Sequence, residues 1–474
     1  MTTPEIDTTD PDLTTASTTT ASTTSATTRR HRLGGRWIDD WRPEDPEFWT
    51  TTGKPIARRN LIFSVASEHI GFSVWSLWSV LVLFLGPEYG FDPAEKFLLT
   101  ALPTLVGAVL RLPYTFAVAI FGGRNWTIVS ALLLLLPTTL IAIFLRPGVE
   151  FGTLLVVAMF AGVGGGNFAS SMTNINTFYP VRLKGWALGI NAGGGNLGVP
   201  VVQLVGLVVL ATLGTQHPRA LVIVYLPLIV LAAIGAAVFM DNLSQNSNAK
   251  GAIREVMTHR ETWLMSLLYI GTFGSFIGFS FAFGQVLLVQ FPEQFPTPVK
   301  AAALTFLGPL LGSLIRPVGG ALADRYSGSR VTFVNFVAMA LGAGVVLAAS
   351  QLHSLPIYIA GFTMLFVFSG IGNGSTYKMI PAIFHAKAVI EAGNGENIDF
   401  VEKRAVRRSG ALIGLAGAIG ALGGVGVNLA FRQSFLSFHT GDGAYLVFIA
   451  FYAVCFALTW TAFIRPRAGR LARV

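Results

Sequence analysis

Three stretches of this chain, Trp126–Leu145, Ala220–Met240 and Val331–Gln351, each run for about 20 residues without a charged side chain, long enough to cross a bilayer core as a helix. Barrel strands need only about ten residues of alternating character, so these runs are not strands. Comparable runs begin near positions 61, 97, 126, 150, 185 and 219, and again near 263, 301, 331, 356, 410 and 444. The sequence therefore predicts an all-α membrane protein with twelve transmembrane helices. Composition agrees, with 52% hydrophobic and 12% charged residues where a soluble domain carries about a quarter charged. A single Cys rules out an internal disulfide framework and a Cys-rich metal site.

Basic residues give the orientation. With the N-terminus inside, 25 of the 33 Lys and Arg fall on the cytoplasmic side or in the tails. Only Lys96, Arg146, Arg219, Lys300 and Arg432 fall outside, and Arg111, Arg316 and Lys378 lie within segments. This bias places the chain in the cytoplasmic (inner) membrane as a multi-pass protein with both termini cytoplasmic. The net charge of +9 is then mainly a topological label and implies no nucleic-acid partner. Residues 1–60 read as a disordered Thr-rich, then basic, cytoplasmic tail, with interfacial anchors at Trp37, Trp41 and Trp49. Residues 61–240 form an N-terminal six-helix bundle, 241–262 a cytoplasmic linker, 263–464 a C-terminal six-helix bundle, and 465–474 a basic tail.

The two bundles repeat one another. Leu99–Arg111 (LTALPTLVGAVLR) lies on Leu304–Arg316 (LTFLGPLLGSLIR), with the terminal Arg in common. Gly162–Phe168 (GVGGGNF) lies on Gly370–Thr376 (GIGNGST), and Gly185, Gly189 and Gly193 on Gly410, Gly414 and Ala418. Paired six-helix halves are typical of secondary transporters, whose site lies near the midplane between them.

Arg111 and Arg316 are the most informative residues, because an arginine at the centre of an apolar segment costs about 2.5–3.5 kcal/mol on an insertion scale. They occupy equivalent repeat positions and have no acid within their own segments. Two such cations repel unless something negative lies between them, and guanidinium suits a small planar oxyanion through bidentate donors. The alternative is that each satisfies helix-end carbonyls or snorkels. Asn196 is the best amide candidate for substrate contact; Asn167, Asn174, Asn176, Asn191 and Asn373 fit interhelical hydrogen bonding better. Tyr269, Phe168 and Phe273 can wall a pocket around a planar ion, although plain core packing is the commoner use of an aromatic ring.

Glu68 and His69 lie inside the first helix, where an acid beside an imidazole suggests proton coupling. Glu68 can instead serve as a counter-charge to an arginine or play a structural part. The small-residue stripes allow close helix approach. Asp324 and Arg325, in Gly319–Arg330 (GGALADRYSGSR), suit a gate in which Asp324 caps a helix or pairs across the halves; the first-half counterpart, Gly122–Asn125 (GGRN), lacks the acid. No nucleophile–base pair or metal-ligand set appears, GVGGG follows no strand, and no Walker-type motif occurs, so neither an enzyme nor a cofactor is expected.

The GGALADRYSGSR loop resembles the cytoplasmic loop motif of the major facilitator superfamily. Gly162–Pro200, GIGNGSTYKMIPAIF with SGALIGLAGAIGALGG, and Ser266–Phe281 (SLLYIGTFGSFIGFSF) are similar to signature segments of nitrate/nitrite porters. The resemblance covers residues 60–464. It implies a major facilitator fold, nitrate or nitrite as substrate, an anion clamped by Arg111 and Arg316, hydrogen bonds from Asn196 and Tyr269, and Phe168 and Phe273 packed on its faces. On this reading the chain is a secondary transporter, working as a monomer in membrane lipid by rocker-switch alternating access. The preferred coupling is nitrate/proton symport. Nitrate/nitrite antiport, another small organic anion as cargo, and a nitrate-binding sensor that does not transport are the alternatives.

Overall fold

The computed structural model describes residues 36–244, 250–393, 395 and 397–465. The Thr-rich stretch expected to be disordered and nearly all of the C-terminal tail lie outside them. Twelve described helices are long and apolar enough to span a membrane. The first six are Pro46–Phe84, Pro93–Phe121, Gly123–Phe144, Phe151–Phe178, Val181–Leu213 and Pro218–Phe239. The second six are Arg260–Gln290, Pro298–Tyr326, Gly328–Gln351, Leu355–Gly393, Phe400–Phe438 and Asp442–Ile464. Within lipid a helix satisfies its own backbone polar groups, which is why irregular chain is confined to short connections. Twelve crossings bring both ends of the chain to one face, here called the terminus face.

Local chemistry sets the boundaries. Asp92 starts the second span with a reciprocal capping box: its carboxylate accepts from the Glu95 amide at 2.7 Å, and the Glu95 carboxylate accepts from the Asp92 amide at 2.9 Å. Pro93, Pro218 and Pro298 each occupy a first helical turn, where no amide donor is required. Gly122 ends the second span at φ +87°, where any side chain would also collide with Asn242.

The first span begins at Pro46, before the expected start at 61, and the chain is already ordered from residue 36. Residues 36–60 are therefore not a free tail. Asp45 accepts from the amides of Glu47 and Phe48, and Trp41 packs edge-on against Phe48 and Phe178 with centroids 5.4 and 5.3 Å away. Strand β1 (Trp37–Ile38) pairs in parallel with strand β2 (Asn242–Leu243), just beyond the sixth span. Asp241, almost fully buried, accepts charged bonds from Arg36 at 3.0 Å and Arg59 at 2.6 Å, and a third bond from Asn60. Glu44 accepts from the Val181 amide and so caps the fifth span. These residues form a strap across the base of the first half. Buried Trp41 and Trp49 and a buried carboxylate fix it, which the basic, Thr-bearing composition concealed.

Beyond the sixth span, the short helix Lys250–Met257 docks through Glu255, which pairs with Arg408 at 2.7 Å and Arg407 at 2.5 Å. Arg408 and Arg404 also hold Glu391, at 3.0 and 2.5 Å. The expected linker is thus helical over much of its length and bolted to the tenth and eleventh spans.

The halves meet most firmly away from the termini. Phe97 in the second span stacks on Phe431 and Phe435 in the eleventh, with centroids 5.8 and 5.6 Å apart. Thr100 donates to Asn428 at 2.7 Å, and Gln203 to the Ser280 carbonyl at 2.7 Å. Nearer the terminus face, the stripe Gly185, Gly189 and Gly193 meets nothing within 4 Å. The close approach expected of it is not made in this conformation; in the matching stripe, a methyl on Gly410 would stand 3.8 Å from Asn176 and one on Gly414 3.6 Å from Thr115.

Two stability experiments follow. Asp241→Ala leaves Arg36 and Arg59 without their acid; both are part-exposed, so a loss of about 1–2 kcal/mol is expected, read as a lower melting temperature in detergent. Burial alone would raise the Glu255 carboxyl, but Arg408 and Arg407 outweigh it and hold it below its ordinary value. Its stabilising effect is therefore complete above the unfolded carboxylate range and is lost as pH falls through the depressed value. Glu255→Gln should melt earlier than wild type near neutral pH, with the gap closing in acid.

Candidate anion-binding site

The repeat seen in sequence organises the centre of the molecule. In the first half the Gly-rich fourth span lies against the second, so close that a methyl on Gly165 would stand 2.8 Å from the Gly107 α-carbon. In the second half the tenth span lies against the eighth, where a methyl on Gly370 would stand 2.3 Å from the Gly312 carbonyl. Proline follows each arginine, Pro113 in the second span and Pro317 in the eighth, so the backbone there lacks one amide donor. Arg111 and Arg316 are carried inward on these matched pairs of helices.

Arg111 is fully buried. Its Nε donates to the Gly165 carbonyl at 3.2 Å and its Nη1 to the Gly417 carbonyl, across the halves, at 2.6 Å, while Nη2 has no partner. Its guanidinium carbon lies 4.6 Å from the Phe168 ring centre, 4.9 Å from Phe273 and 5.4 Å from Trp75. Arg316 is 7% exposed, donates from Nη2 to the Tyr269 hydroxyl at 3.4 Å, sits 5.4 Å from the Tyr377 ring and leaves Nη1 unpartnered. Arg111, Arg316, Glu68, Tyr269 and Tyr377 all lie within Coulomb range of one another's charges. Carbonyls thus satisfy part of Arg111, and among the described residues no carboxylate is in direct contact with either guanidinium. The result is an aromatic-walled cationic centre holding two unfilled donors.

Phe168, Phe273 and Tyr269 stack in series, Phe168 on Phe273 at 6.2 Å and Phe273 on Tyr269 at 5.2 Å. The seventh span opens here into a π-turn over Ile270–Gly274, with Tyr269 at its start and Phe273 within it. Asn196 is fully buried and neither its amide nitrogen nor its oxygen has a partner. It stands where the fifth span breaks, between the helices Val181–Asn196 and Gly198–Leu213. A buried amide with nothing to bond is costly unless a ligand completes it.

Glu68 is fully buried; Ser171 and Asn191 donate to one carboxylate oxygen, and the other has no partner. His69 turns away, its Nδ1 donating to the Gly194 carbonyl at 3.1 Å. Successive residues on a helix do not face each other, so the two act as separate groups.

Asp324 and Arg325 are not in this centre. Asp324 binds Lys378 at 2.8 and 2.9 Å, inside the second half, so the expected pair across the halves is not formed. The reason is the tight packing of eighth and tenth spans, which brings the Lys378 stem within 3.9 Å of the Cβ position of Gly320. Arg325 lies over the Tyr326 ring at 5.2 Å. At the matching place in the first half, Arg124 donates to the Ala237 carbonyl at 3.1 and 2.7 Å.

Sequence reasoning did not single out Trp75, Tyr377 or the Gly165 and Gly417 carbonyls. Tyr377 directly follows the repeat motif GIGNGST, one position beyond the counterpart of Phe168, which is Thr376. The carbonyls had no signal in the sequence.

The model of the Major Facilitator Superfamily matches residues 69–426. The nitrate/nitrite transporter NarU of Escherichia coli K12 is 39% identical over 451 residues, covering 91% of this chain and 96% of that protein. NarU of Salmonella typhimurium is 37% identical, covering 93% and 99%. The chain belongs to the nitrate/nitrite porter family of the major facilitator superfamily. A protein named probable nitrate/nitrite antiporter NarK2, of Thermus thermophilus, is 33% identical over 92% of this chain and 98% of its own length. Among solved structures, an inward-facing bacterial homologue of the lysosomal transporter Spinster aligns with TM-score 0.61 at 15% identity, over 86% of this chain and 97% of that one. The xylose transporter XylE of Escherichia coli aligns at 0.60 and 12% identity, over 88% and 99%. These two share the fold. The porter family consists of transporters rather than enzymes.

The glycine contacts give a paired test. Gly374→Ala would put a methyl 2.3 Å from the Arg316 carbonyl, overpacking expected to cost about 1–3 kcal/mol. Gly189→Ala adds a methyl in open space and should be neutral or stabilise by about 0.5 kcal/mol. Melting curves in detergent distinguish them.

Proposed function

We propose that this protein carries nitrate and nitrite across the cytoplasmic membrane by alternating access, holding the anion between Arg111 and Arg316. The observation that carries this reading is the pair of buried guanidinium groups at equivalent repeat positions, each with an unpartnered donor. A planar monoanion supplies the missing negative charge and accepts from both forks. Phe168 and Phe273, which already pack beside Arg111, offer flat apolar faces to a planar ion. Asn196 and the Tyr269 hydroxyl complete the hydrogen bonding. Empty, the two like charges resist being brought together; filled, they accept it, so the anion permits the halves to rock. The open Gly185–Gly193 stripe leaves room for that movement.

The distribution of basic residues supports a cytoplasmic terminus face. A single chain contains the whole centre, so a monomer suffices. Asp324, paired with Lys378, and Arg325 act at the cytoplasmic edge, bracing the second half as it moves. For coupling we favour nitrate/proton symport, with Glu68 as the proton seat and His69, turned to the Gly194 carbonyl, as a separate titratable group. Nitrate/nitrite antiport is the second reading, favoured by the 33% identity to the protein named as an antiporter.

Arg111→Lys keeps the charge and loses the fork, so nitrate flux into proteoliposomes should fall about tenfold to a hundredfold, the worth of one charge-assisted bond. Arg316→Lys should do the same. Nitrite should compete with nitrate, and carboxylates should not. Wild-type flux in either variant would overturn the clamp, and binding without flux in the wild type would make the protein a sensor.

A further inference from the structure

We propose that Glu68 is a built-in counter-anion that takes the place of a returning substrate ion at the arginine pair, so that the empty carrier can reorient and net uptake becomes possible. This rests on the anion-clamp reading above and supplies the step that separates a net transporter from an exchanger.

Helix register carries the argument. A methyl on Gly195 would meet Glu68, and one on Gly420 would meet Tyr269. A methyl on Gly198 would meet the His69 carbonyl and Phe72, and one on Gly423 the Ile270 carbonyl and Gly274. First and seventh spans therefore pack on the fifth and eleventh in one register, in which Glu68 is the counterpart of Tyr269. In the second half, that position carries the hydroxyl that accepts from Arg316. In the first half it carries a carboxylate, fully buried, with one oxygen unpartnered and the charges of Arg111 and Arg316 both in range.

The surroundings of Glu68 define what it can exchange with. The fourth span offers Ser171 and the fifth Asn191, both neutral donors. The second span offers Arg111, the eighth Arg316 and the tenth Tyr377, and on the seventh Tyr269 stands beside the same two arginines. On its own helix His69 is turned to Gly194. The cations facing Glu68 are thus the two that the substrate uses.

Charge counting then sets the cycle. With Glu68 ionised and no substrate, the centre carries one net positive charge. Nitrate fills the unpartnered arginine donors and neutralises one of their charges; Glu68, deprived of that field in a buried site, binds a proton at a carboxylate oxygen, and the net charge is again one. Release of nitrate and proton restores the carboxylate and the starting charge. Loaded and empty centres therefore have equal charge, and one proton accompanies each anion. Without the carboxylate the empty centre would carry two positive charges and could return only with another anion.

The test uses the full chain in proteoliposomes, wild type against Glu68→Gln, with the membrane potential clamped. Nitrate uptake driven by an inward proton gradient should fall by at least about tenfold, as expected from loss of a buried charge interaction of ~1.4 kcal/mol or more, while nitrate/nitrite counterflow persists. Glu68→Asp should retain gradient-driven uptake. In weakly buffered detergent solution, nitrate binding to the wild type should take up protons, a measurement that stands even if Glu68→Gln does not fold. Gradient-driven uptake surviving in Glu68→Gln, or nitrate binding with no proton uptake, would overturn the proposal. Full counterflow with no gradient-driven uptake in the wild type would overturn the symport reading itself, leaving the arginine clamp intact.

Discussion

Two guanidinium groups buried in an apolar interior without a carboxylate in contact set the terms for the rest of this molecule. Burying a lone ion costs several kcal/mol even after relaxation, and removing two from water beside each other costs more. The protein meets that cost piecemeal. Arg111 receives the carbonyls of Gly165 and Gly417 and three aromatic faces; Arg316 receives the Tyr269 hydroxyl and the Tyr377 ring. Each arrangement leaves one guanidinium nitrogen without a partner among the described residues.

The repeat makes this possible, because close glycine contacts between second and fourth spans, and between eighth and tenth, bring both arginines to one level. Symmetry is broken where chemistry needs it. Glu68 occupies in the first half the position that Tyr269 holds in the second, and the π-turn at Ile270–Gly274 has no counterpart in the first span's helix Lys54–Trp75. The two halves are thus alike as supports and unlike as partners to the substrate.

Much of this was legible in the chain. Twelve apolar runs and one asymmetric set of basic residues are long-range statistics, and they give the spans to within a few residues except at the first and the eleventh, which begin at Pro46 and Phe400 rather than near 61 and 410. The two arginines stood out because a charge in such a run is expensive, and the aligned motifs paired them. Less legible were contacts that depend on register between distant helices. Asp324 meets Lys378, not a residue of the other half, because two helices pack at glycine distance. Tyr377 reads as another aromatic until its ring is seen beneath Arg316. The strap at residues 36–53 reads as tail because it continues from the Thr-rich stretch with no apolar run of its own, yet two buried tryptophans and the acid Asp241 decide its structure.

The face away from the termini is closed by rings rather than by ions. Phe97 stacked on Phe431 and Phe435, with Thr100 bonded to Asn428, forms a dry seal across the halves, and aromatic pairs of this kind add about 0.5–1.5 kcal/mol each beyond the area they bury. The ion pairs that flank it on the other side brace single halves, turning each into a stiff lever whose motion is resisted chiefly at this seal. Opening it means wetting aromatic surface, a process governed by heat capacity. Such a seal loosens on cooling and tightens in salts excluded from apolar surface, whereas a seal built of ion pairs would be weakened by any salt that screens it.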